Sequence, residues 1–388
     1  MTIVNIDDMR EAAQRRLPKI FFDYIDGGSF SETTLRENRR GYDAWAIEQR
    51  VLASARIPDL ATEFLGARHA LPFMLAPVGF LGLYRGGGEI LAARAARAAQ
   101  IPFCLSTFSV ASIERLAREA GGDLHFQLYM LDDRGLGDEL LAAATAAGVT
   151  TLFLTVDCTV TAIRERDVRN KFRSARRPTP AMLLSMLAKP AWFLDLLRHG
   201  LPAVEALEKH PEFGKGALEQ AVNLSRRIDR TVSWAEVDRL RARWPGRLVI
   251  KGVLSAADAC KARDAGANAV VVSNHGGRQL DGVAATISVL PEIVAAVGPD
   301  FEVLLDGGIR RGTDIVKALA LGASGVLLGR AYAFALAADG EAGVTRAIEI
   351  LSTELSITLA LMGLGAIDEL KAARSSVLRR MDSRADRS

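Results

Sequence analysis

The chain contains few cysteines. Cys104, Cys158 and Cys260 are the three among its 388 residues, and none belongs to a C-x-x-C pair. An odd number of widely separated cysteines is typical of reduced thiols in the cytoplasm, and it argues against a disulfide framework or a cysteine-based zinc site. The sequence therefore predicts a cytoplasmic protein, and it offers no residue set for a metal.

Long apolar runs and an excess of one charge are also missing. No apolar stretch approaches the roughly 20 residues that a membrane-spanning helix needs, and the polar residues 1–19 do not resemble a signal peptide. The 49 basic and 46 acidic residues leave a net charge of +3, so nothing favours nucleic acid as a partner. The chain has no C-x-x-C-H haem attachment motif. Peripheral contact with a membrane stays open.

Short apolar runs alternate with helical patterns from residue 71 onward, which predicts parallel βαβ units. Eight units indicate a closed (β/α)8 TIM barrel, an α/β fold. An open doubly wound sheet is the alternative, but no G-x-G-x-x-G fingerprint follows the first strand. The predicted strands are Phe73–Ala76, Phe103–Ser106, His125–Tyr129, Leu152–Val156, Leu248–Lys251, Ala269–Ser273, Val303–Asp306 and Val326–Gly329.

Two additions accompany the predicted barrel of residues 71–388. Residues 1–70 are expected to form a helical region that packs on it, with Asn5 capping a helix over Ile6–Arg16 and a second helix over Thr33–Tyr42. A long insertion over residues 158–230 follows strand four, and insertions of this length are usually functional or partly disordered.

The insertion is basic at its start and then apolar. Its apolar stretches, Met182–Leu187 and Trp192–Leu197, are separated by Pro190. An amphipathic stretch with Trp192, Phe193 and nearby cations can lie in a membrane interface. A helix pair that contacts another subunit is the alternative. The basic residues are Arg164, Arg166, Arg169, Lys171, Arg173, Arg176 and Arg177.

The segment Ser273–Asp281, S-N-H-G-G-R-Q-L-D, follows the sixth strand, and active sites of this fold lie at such strand ends. His275 can accept a proton near neutral pH, and Arg278 offers a planar fork for a carboxylate. Asp157, at the end of strand four, is placed to orient the imidazole. A loop in which His275 caps a helix and Arg278 is solvated is the alternative.

The ends of strands seven and eight favour a bound phosphate, because glycines, arginines and a following helix N-terminus meet there. Surface salt bridges are the alternative for the two arginines. Polar side chains at the other strand ends suit the edge of a heterocycle, and flavin mononucleotide (FMN) fits this combination. Lys251 would meet an anion of substrate or cofactor, or pair with Asp306 or Asp157. The residues at these ends are Ser106, Gln127, Thr155, Asp306, Gly307, Gly308, Arg310, Gly329 and Arg330.

Nearly the whole chain resembles the FMN-dependent α-hydroxy acid dehydrogenase and oxidase family. The resemblance is carried by the segment Ser273–Asp281, by Leu17-Pro18-Lys19 and by Tyr24–Gly28. The resemblance implies that His275 is the catalytic base with Asp157, that Tyr129 bonds the substrate hydroxyl, and that Lys251 lies beside the flavin. Substrate carboxylate binding is implied for Tyr24, Arg164 and Arg278. FMN binding is implied for Pro77, Val78, Gly79, Ser106, Gln127, Thr155, Lys251, Ser273, Asp306, Gly307, Gly308, Arg310, Gly329 and Arg330.

Within the family the finer features point to a dehydrogenase. Gly79 resembles the dehydrogenases, since oxidases tend to carry Ala there. The insertion resembles the membrane-associating segment of enzymes that pass electrons to a quinone or another respiratory acceptor. The resemblance also implies a homotetramer, peripheral on the inner face of the cell membrane.

The substrate is expected to be a small L-2-hydroxy acid. Residues 26–35 resemble the L-lactate enzymes, whereas Arg164–Asp167 and residues 192–202 resemble the (S)-mandelate enzymes. The bulk of Phe108 favours lactate. The alternatives are a mandelate dehydrogenase, an oxidase that uses dioxygen, an FMN barrel isomerase and a non-catalytic flavin-binding protein.

Overall fold

The computed structural model describes residues 2–53, 57–172 and 180–381. Eight parallel strands close into a barrel, and each pairs with its sequence neighbours except where the first and last strands join. The predicted (β/α)8 barrel is therefore confirmed. Its strands are β4 (Phe73–Leu75), β5 (Phe103–Ser106), β6 (Leu124–Leu128), β7 (Thr151–Thr155), β8 (Arg247–Val253), β9 (Ala269–Val272), β10 (Glu302–Leu305) and β11 (Gly325–Leu328).

Side chains from alternate strand positions fill the barrel interior, as the two-residue period of a strand requires. Met74, Phe153 and Val249 belong to this interior cluster. A hairpin of β2 (Thr62–Phe64) and β3 (Ala67–His69) adds Phe64 to it, where the ring lies against Gly325 at the start of β11. The hairpin therefore closes the amino-terminal end of the barrel, opposite the ends expected to carry the site.

The N-terminal region begins with three helices, α1 (Ile6–Arg16), α2 (Lys19–Asp26) and α3 (Thr33–Arg40). Asn5 caps α1 as predicted, since its side chain accepts a bond from the Asp8 amide at 2.8 Å. Beyond the helices the region forms β1 (Trp45–Ile47) as well as the hairpin, whereas helix was expected through residue 70. Strand β1 pairs antiparallel with the late strand β12 (Leu378–Arg380).

Helices link successive barrel strands and pack outside them, and several start at a side-chain cap. Ser112, Asp133 and Ser255 each accept a bond from the backbone of the first turn that follows. The linking helices are α4 (Gly88–Ala98), α5 (Ile113–Glu119), α6 (Arg134–Ala146), α11 (Trp234–Arg243), α12 (Ala256–Asp264), α13 (Thr286–Val297) and α14 (Gly312–Ala320), and the last barrel strand is followed by α15 (Arg330–Leu361) and α16 (Ile367–Ala373).

The insertion between β7 and β8 contains α7 (Glu165–Arg169), α8 (Pro180–Leu187), α9 (Pro190–His199) and α10 (Ala217–Arg226). Pro190 starts α9 rather than interrupting it, which agrees with the first-turn preference of proline. The predicted basic residues Arg173, Arg176 and Arg177 lie outside the described residues.

Trp192 does not belong to an exposed apolar face, contrary to the expectation for a membrane-facing stretch. Its side chain is buried, its ring lies 5.2 Å from that of Phe21, and its Nε1 donates to the Leu83 carbonyl at 2.9 Å. Packing onto α2 takes this ring out of reach of a surface. The exposed large apolar residues of the helix pair are leucines instead, namely Leu183, Leu184, Leu187, Leu194, Leu197 and the following Leu201.

No helix within the described ranges has both the length and the apolar composition that crossing a bilayer requires.

Candidate active site

A cavity opens at the carboxyl ends of the barrel strands, where the fold predicts a site. It is lined from all sides by strand-end residues, by α2 and by the start of α15. The predicted site residues that line it are Tyr24, Pro77, Val78, Gly79, Ser106, Tyr129, Arg164, Lys251, His275, Arg278, Asp306, Gly307, Gly308, Arg310, Gly329 and Arg330. The remaining predicted residues, Gln127, Thr155, Asp157 and Ser273, do not line it, and they stand at the ends of the same strands.

His275 enters the cavity from a left-handed turn directly after β9. Its φ of 56° is followed by 62° at Gly276 and 74° at Gly277, and a non-glycine residue is uncommon in this region. The Ser273 hydroxyl accepts a bond from the His275 amide at 3.1 Å, which supports the turn. Such local strain is typical of functional positions.

The imidazole pairs with the carboxylate of Asp157 at the end of β7. Nδ1 lies 3.1 Å from Oδ1 and 3.3 Å from Oδ2. Burial lowers the pKa of His275 below its ordinary value, and the nearby Lys251 and Arg164 lower it further while Asp157 opposes them. Burial alone would raise the pKa of Asp157, but His275 and Lys251 hold it below its ordinary value. The pair therefore consists of a carboxylate and a ring that stays neutral near pH 7.

Arg164, at the start of α7, and Arg278, after β9, meet around the ring of Tyr24. The guanidinium carbons lie 5.6 and 4.7 Å from the ring centre, and Phe172 stacks on the ring at 4.3 Å. Arg278 donates to the Gly27 carbonyl at 3.0 Å. The Nη1 of Arg164 is buried without a hydrogen-bond partner among the described residues, and its ion pair with Oδ2 of Asp167 is long, at 3.8 Å, so this donor can bond an anion.

Two more arginines line the cavity, and one of them, Arg330, donates to the same Gly27 carbonyl as Arg278. Arg330 begins α15 and donates to the carbonyls of Ile25, Gly27 and Gly276 at 2.7 to 2.8 Å. Burial lowers the pKa of Arg310 to about 10, with Arg39 adding to the shift. Burial also lowers the pKa of Arg330, and its charged neighbours Arg278 and Arg310 lower it further.

Arg310 and Arg330 are half-buried cations with cationic neighbours, so an anion in the cavity would stabilise them. Surface salt bridging, the alternative raised from sequence, does not describe them. Gly329 precedes α15, and the position its Cβ would take has no heavy atom within 4 Å, which leaves space at this helix N-terminus. The charges and the space fit a phosphate group.

Lys251 forms the ion pair that the sequence left open. Its Nζ lies 2.8 Å from Oδ2 of Asp306 and 2.9 Å from Oγ of Ser273. The other carboxylate oxygen of Asp306 is buried without a partner in the described part of the chain. Because a buried acceptor without a donor is costly, Asp306 fits a bound hydroxyl.

Ser106 at the end of β5 and Gln127 at the end of β6 present neutral polar groups. The side-chain oxygen Oε1 of Gln127 accepts a bond from the Ser106 hydroxyl at 3.1 Å and from the Thr107 backbone amide at 3.3 Å. Its amide Nε2 is buried and, among the described residues, has no acceptor. A heterocycle with carbonyl groups would supply one, so the residues present fit the FMN expected from sequence. Thr155 is buried beside them and pairs with Lys251 across the strands.

Gly79 and Phe108 face one another at the rim. A Cβ at Gly79 would lie 2.9 Å from the Cβ of Phe108, closer than carbon atoms approach. Phe108 is held between Phe80 and Tyr129, with ring centres 5.7 and 5.3 Å away. The shape of this wall therefore depends on glycine at position 79.

Several lining residues were not predicted from sequence. Ser225 and Ile228 come from the end of the insertion, where no local pattern marks them, and Tyr84 follows the first barrel strand. Cys158 lines the cavity between Asp157 and Tyr129. A thiol next to the predicted orienting acid is a sequence signal for a site residue, but Cys158 was interpreted only as a reduced cysteine.

The model of the family described as FMN-dependent dehydrogenase matches residues 13–377. An L-lactate dehydrogenase of Caulobacter vibrioides (strain NA1000 / CB15N) is 46% identical over 365 residues, which are 94% of this chain and 95% of the relative. One of Pseudomonas syringae pv. syringae (strain B728a) is 44% identical over 376 residues, 96% of this chain and 98% of the relative. Among solved structures, a monotopic membrane protein, (S)-mandelate dehydrogenase, superposes with a TM-score of 0.92 at 39% identity and covers 98% of this chain and 100% of its own.

Proposed function

This chain belongs to the family of FMN-dependent dehydrogenases, and we propose that it oxidises L-lactate to the corresponding 2-oxo acid in the cavity described above. FMN is the cofactor, and FMN-dependent oxidation of a 2-hydroxy acid is the reaction. The observation that carries the proposal is the pairing of His275 with Asp157 at a cavity that is also lined by four arginines, one of them buried and three half-buried.

We propose His275 as the catalytic base and Asp157 as the residue that orients it. Because Nδ1 faces the carboxylate, Nε2 is the ring nitrogen that points away from Asp157 and can take a proton from the substrate. The low pKa of His275 keeps the ring neutral before the reaction. Asp157 then stabilises the imidazolium that the proton transfer creates.

We propose that Arg164 and Arg278 bind the substrate carboxylate, with Tyr24 between them. The buried Nη1 of Arg164 supports this role, because a charge-assisted bond would satisfy it. Tyr129 lines the cavity, with its hydroxyl 4.0 Å from Sγ of Cys158, and it is the proposed partner of the substrate hydroxyl. Burial raises the pKa of Tyr129 well above its ordinary value, so its hydroxyl stays protonated and can donate a bond.

FMN supplies a two-electron acceptor when bound. We propose that Lys251, Gln127 and Ser106 hold its ring system and that Asp306 bonds its hydroxyl-bearing chain. The ends of β10 and β11 would bind the phosphate. The further residues proposed to hold FMN are Pro77, Val78, Gly79, Thr155, Ser273, Gly307, Gly308, Arg310, Gly329 and Arg330.

Two observations favour L-lactate. The curated relatives quoted above are named L-lactate dehydrogenase, and Phe108 narrows the cavity between Phe80 and Tyr129. A mandelate would bring a phenyl group against the same wall. The likeness to the mandelate dehydrogenase structure makes (S)-mandelate the second candidate.

The test is anaerobic bleaching of the bound flavin by L-lactate, glycolate, L-mandelate and longer 2-hydroxy acids. We expect L-lactate to reduce the flavin fastest, and His275→Ala to retain FMN while losing nearly all reduction. His199→Ala, which removes an exposed histidine on α9, serves as the matched control. Reduction by His275→Ala at the wild-type rate would overturn the assignment of the base, and a faster reaction with L-mandelate would overturn the substrate.

We propose a quinone as the electron acceptor and a peripheral position on the inner face of the cell membrane. The leucines exposed on α8 and α9 support this placement, with Leu184 70% and Leu197 65% exposed. Arg198, exposed on α9, can meet anionic lipid headgroups, whereas the Lys189 ammonium already donates to the Gln14 and Arg15 carbonyls. A helix pair that contacts another subunit remains the competing interpretation.

Sedimentation with anionic vesicles tests the membrane proposal. Leu184→Glu combined with Leu197→Glu should release the protein from vesicles, whereas Ile357→Glu combined with Leu361→Glu, at two positions on α15 that are also more than half exposed, should not. A protein that stays in the supernatant with every vesicle would contradict it. Oxidation of L-lactate with a quinone analogue, compared with dioxygen, tests the acceptor.

We also propose a homotetramer. Val160, Ile163 and Leu280 lie on contacting loops after β7 and β9, and each is more than half exposed. A subunit contact would cover these apolar side chains. Light scattering should give four times the chain mass, and a monomer mass would refute the proposal.

A further inference from the structure

Cys158 lines the cavity, and the proposed reaction assigns it no role. Its thiol lies next to both the proposed base and the proposed orienting acid. The Sγ atom is 3.5 Å from Nδ1 of His275 and 3.2 Å from Oδ1 of Asp157. Asp157, Cys158 and His275 form a group of three different metal-ligating side chains, whose ligand atoms all lie within 4.8 Å of one another.

The three distances suit zinc. Tetrahedral zinc, with bonds of about 2.3 Å to sulfur and about 2.0–2.1 Å to nitrogen and oxygen, separates its ligand atoms by about 3.3–3.6 Å. The distances here are 3.5 Å for Sγ to Nδ1, 3.2 Å for Sγ to Oδ1 and 3.1 Å for Nδ1 to Oδ1. The ligands therefore need to move by only a few tenths of an ångström.

We propose that Asp157, Cys158 and His275 bind Zn²⁺ and that the bound ion blocks the active site reversibly. The site combines a thiolate, an imidazole and a carboxylate, which are the ligands that zinc prefers. The fourth position faces the cavity, where a water molecule completes the shell. The inhibitory part of this inference rests on the proposed function of His275, whereas the binding part does not.

Binding changes protonation but no oxidation state. The Cys158 thiol releases its proton to solvent when the sulfur–zinc bond forms. Zinc replaces the hydrogen bond between Nδ1 of His275 and Asp157, so the ring proton moves to Nε2. A ring that carries its proton on Nε2 cannot accept one from the substrate, and this is the expected basis of inhibition.

The surrounding charges set the expected strength. The thiolate and the carboxylate together offset the double charge of the ion, but Lys251 places a positive charge near Asp157 and Arg164 places one near Cys158. A cationic surrounding weakens cation binding, so we expect a site that loads and unloads with the zinc concentration and that a chelator empties. Mg²⁺ prefers oxygen ligands and should not replace zinc.

The test uses the FMN-loaded enzyme and zinc chloride. Equilibrium dialysis should give one bound zinc per chain for wild type. Cys158→Ser should bind zinc at least about tenfold more weakly than wild type, because even residues that contact zinc indirectly contribute about 10–100-fold to its affinity. Cys260→Ser is the matched control, since it makes the same change at a thiol on α12 far along the chain from the site. All three proteins, the reference included, carry His210→Gln, which removes the half-buried histidine that lies between Glu139 and Glu212.

The activity measurement should follow the binding measurement. Zinc should compete with the 2-hydroxy acid, and EDTA should restore turnover. When the activity of each protein is expressed relative to its own zinc-free rate, Cys158→Ser should need about tenfold more zinc for half-inhibition than wild type. Equal zinc binding and inhibition in Cys158→Ser and Cys260→Ser would overturn the site. Zinc binding that depends on Cys158 in a protein that oxidises no 2-hydroxy acid would keep the site and refute the proposed function instead.

Discussion

The contribution of Asp157 to the reaction can be worked out from its distance to His275. The imidazolium formed by proton transfer would carry its charge 3.1 Å from the carboxylate. At an effective dielectric constant of about 20, that separation corresponds to about 5 kcal/mol. Asp157→Asn keeps a neutral hydrogen bond of about 1 kcal/mol. The net loss of about 4 kcal/mol corresponds to a rate about 10³-fold lower.

Stopped-flow measurement of anaerobic flavin reduction gives this rate directly, and the FMN content reports whether the variant still folds around its cofactor. Asp123→Asn is the matched control. Asp123 also pairs with a histidine, His125, at 3.1 Å, but it precedes β6 at the opposite end of the barrel. We expect it to reduce flavin at close to the wild-type rate.

The pH profile separates electrostatic support from simple packing. Burial, Lys251 and Arg164 all lower the pKa of His275, and Asp157 is the group that raises it. Without the carboxylate the pKa falls further, so the neutral ring persists to more acidic pH. The acidic limb of the reduction rate should therefore move to lower pH in Asp157→Asn while the plateau falls. A wild-type rate in Asp157→Asn, or an acidic limb that moves to higher pH, would refute this reasoning.

Three further predictions concern the wall of the cavity, the insertion and the N-terminal region. Gly79→Ala should displace Phe108 at a cost of about 1–3 kcal/mol and lower kcat/KM for lactate, and Phe108→Ala should relieve much of that cost in a double-mutant cycle. Trp192→Ala should lower the free energy of unfolding by about 3–5 kcal/mol in urea titrations, because the ring is buried against α2. Asp26→Asn should cost about 2 kcal/mol at pH 7. Although burial alone would raise the pKa of Asp26, two arginines bonded to its carboxylate hold it below the ordinary 3.8. The stabilisation is complete above that value and is lost as the pH falls through the lower folded pKa, so the two stability curves should converge in acid.

The sequence by itself was sufficient for the barrel and for much of the site. Alternating strand and helix patterns depend on local spacing, so the observed barrel strands begin and end within about two residues of the predicted ones. Because parallel strands of a barrel end at one face, residues as distant as Ser106 and Arg330 could be assigned to one cavity before any contact was known.

Tertiary packing decided the rest. The sequence pattern treats every apolar residue of the insertion alike, and only contact with α2 buries Trp192 while Leu184 and Leu197 stay exposed. Ser225 and Ile228 reach the cavity because the chain returns to the mouth after a long excursion, which no local period encodes. Cys158 shows the same limit at closer range, since its place beside Nδ1 of His275 depends on two loops that are over a hundred residues apart. Spacing along the chain predicts which strand end a residue occupies, but distances between side chains exist only once the barrel has closed.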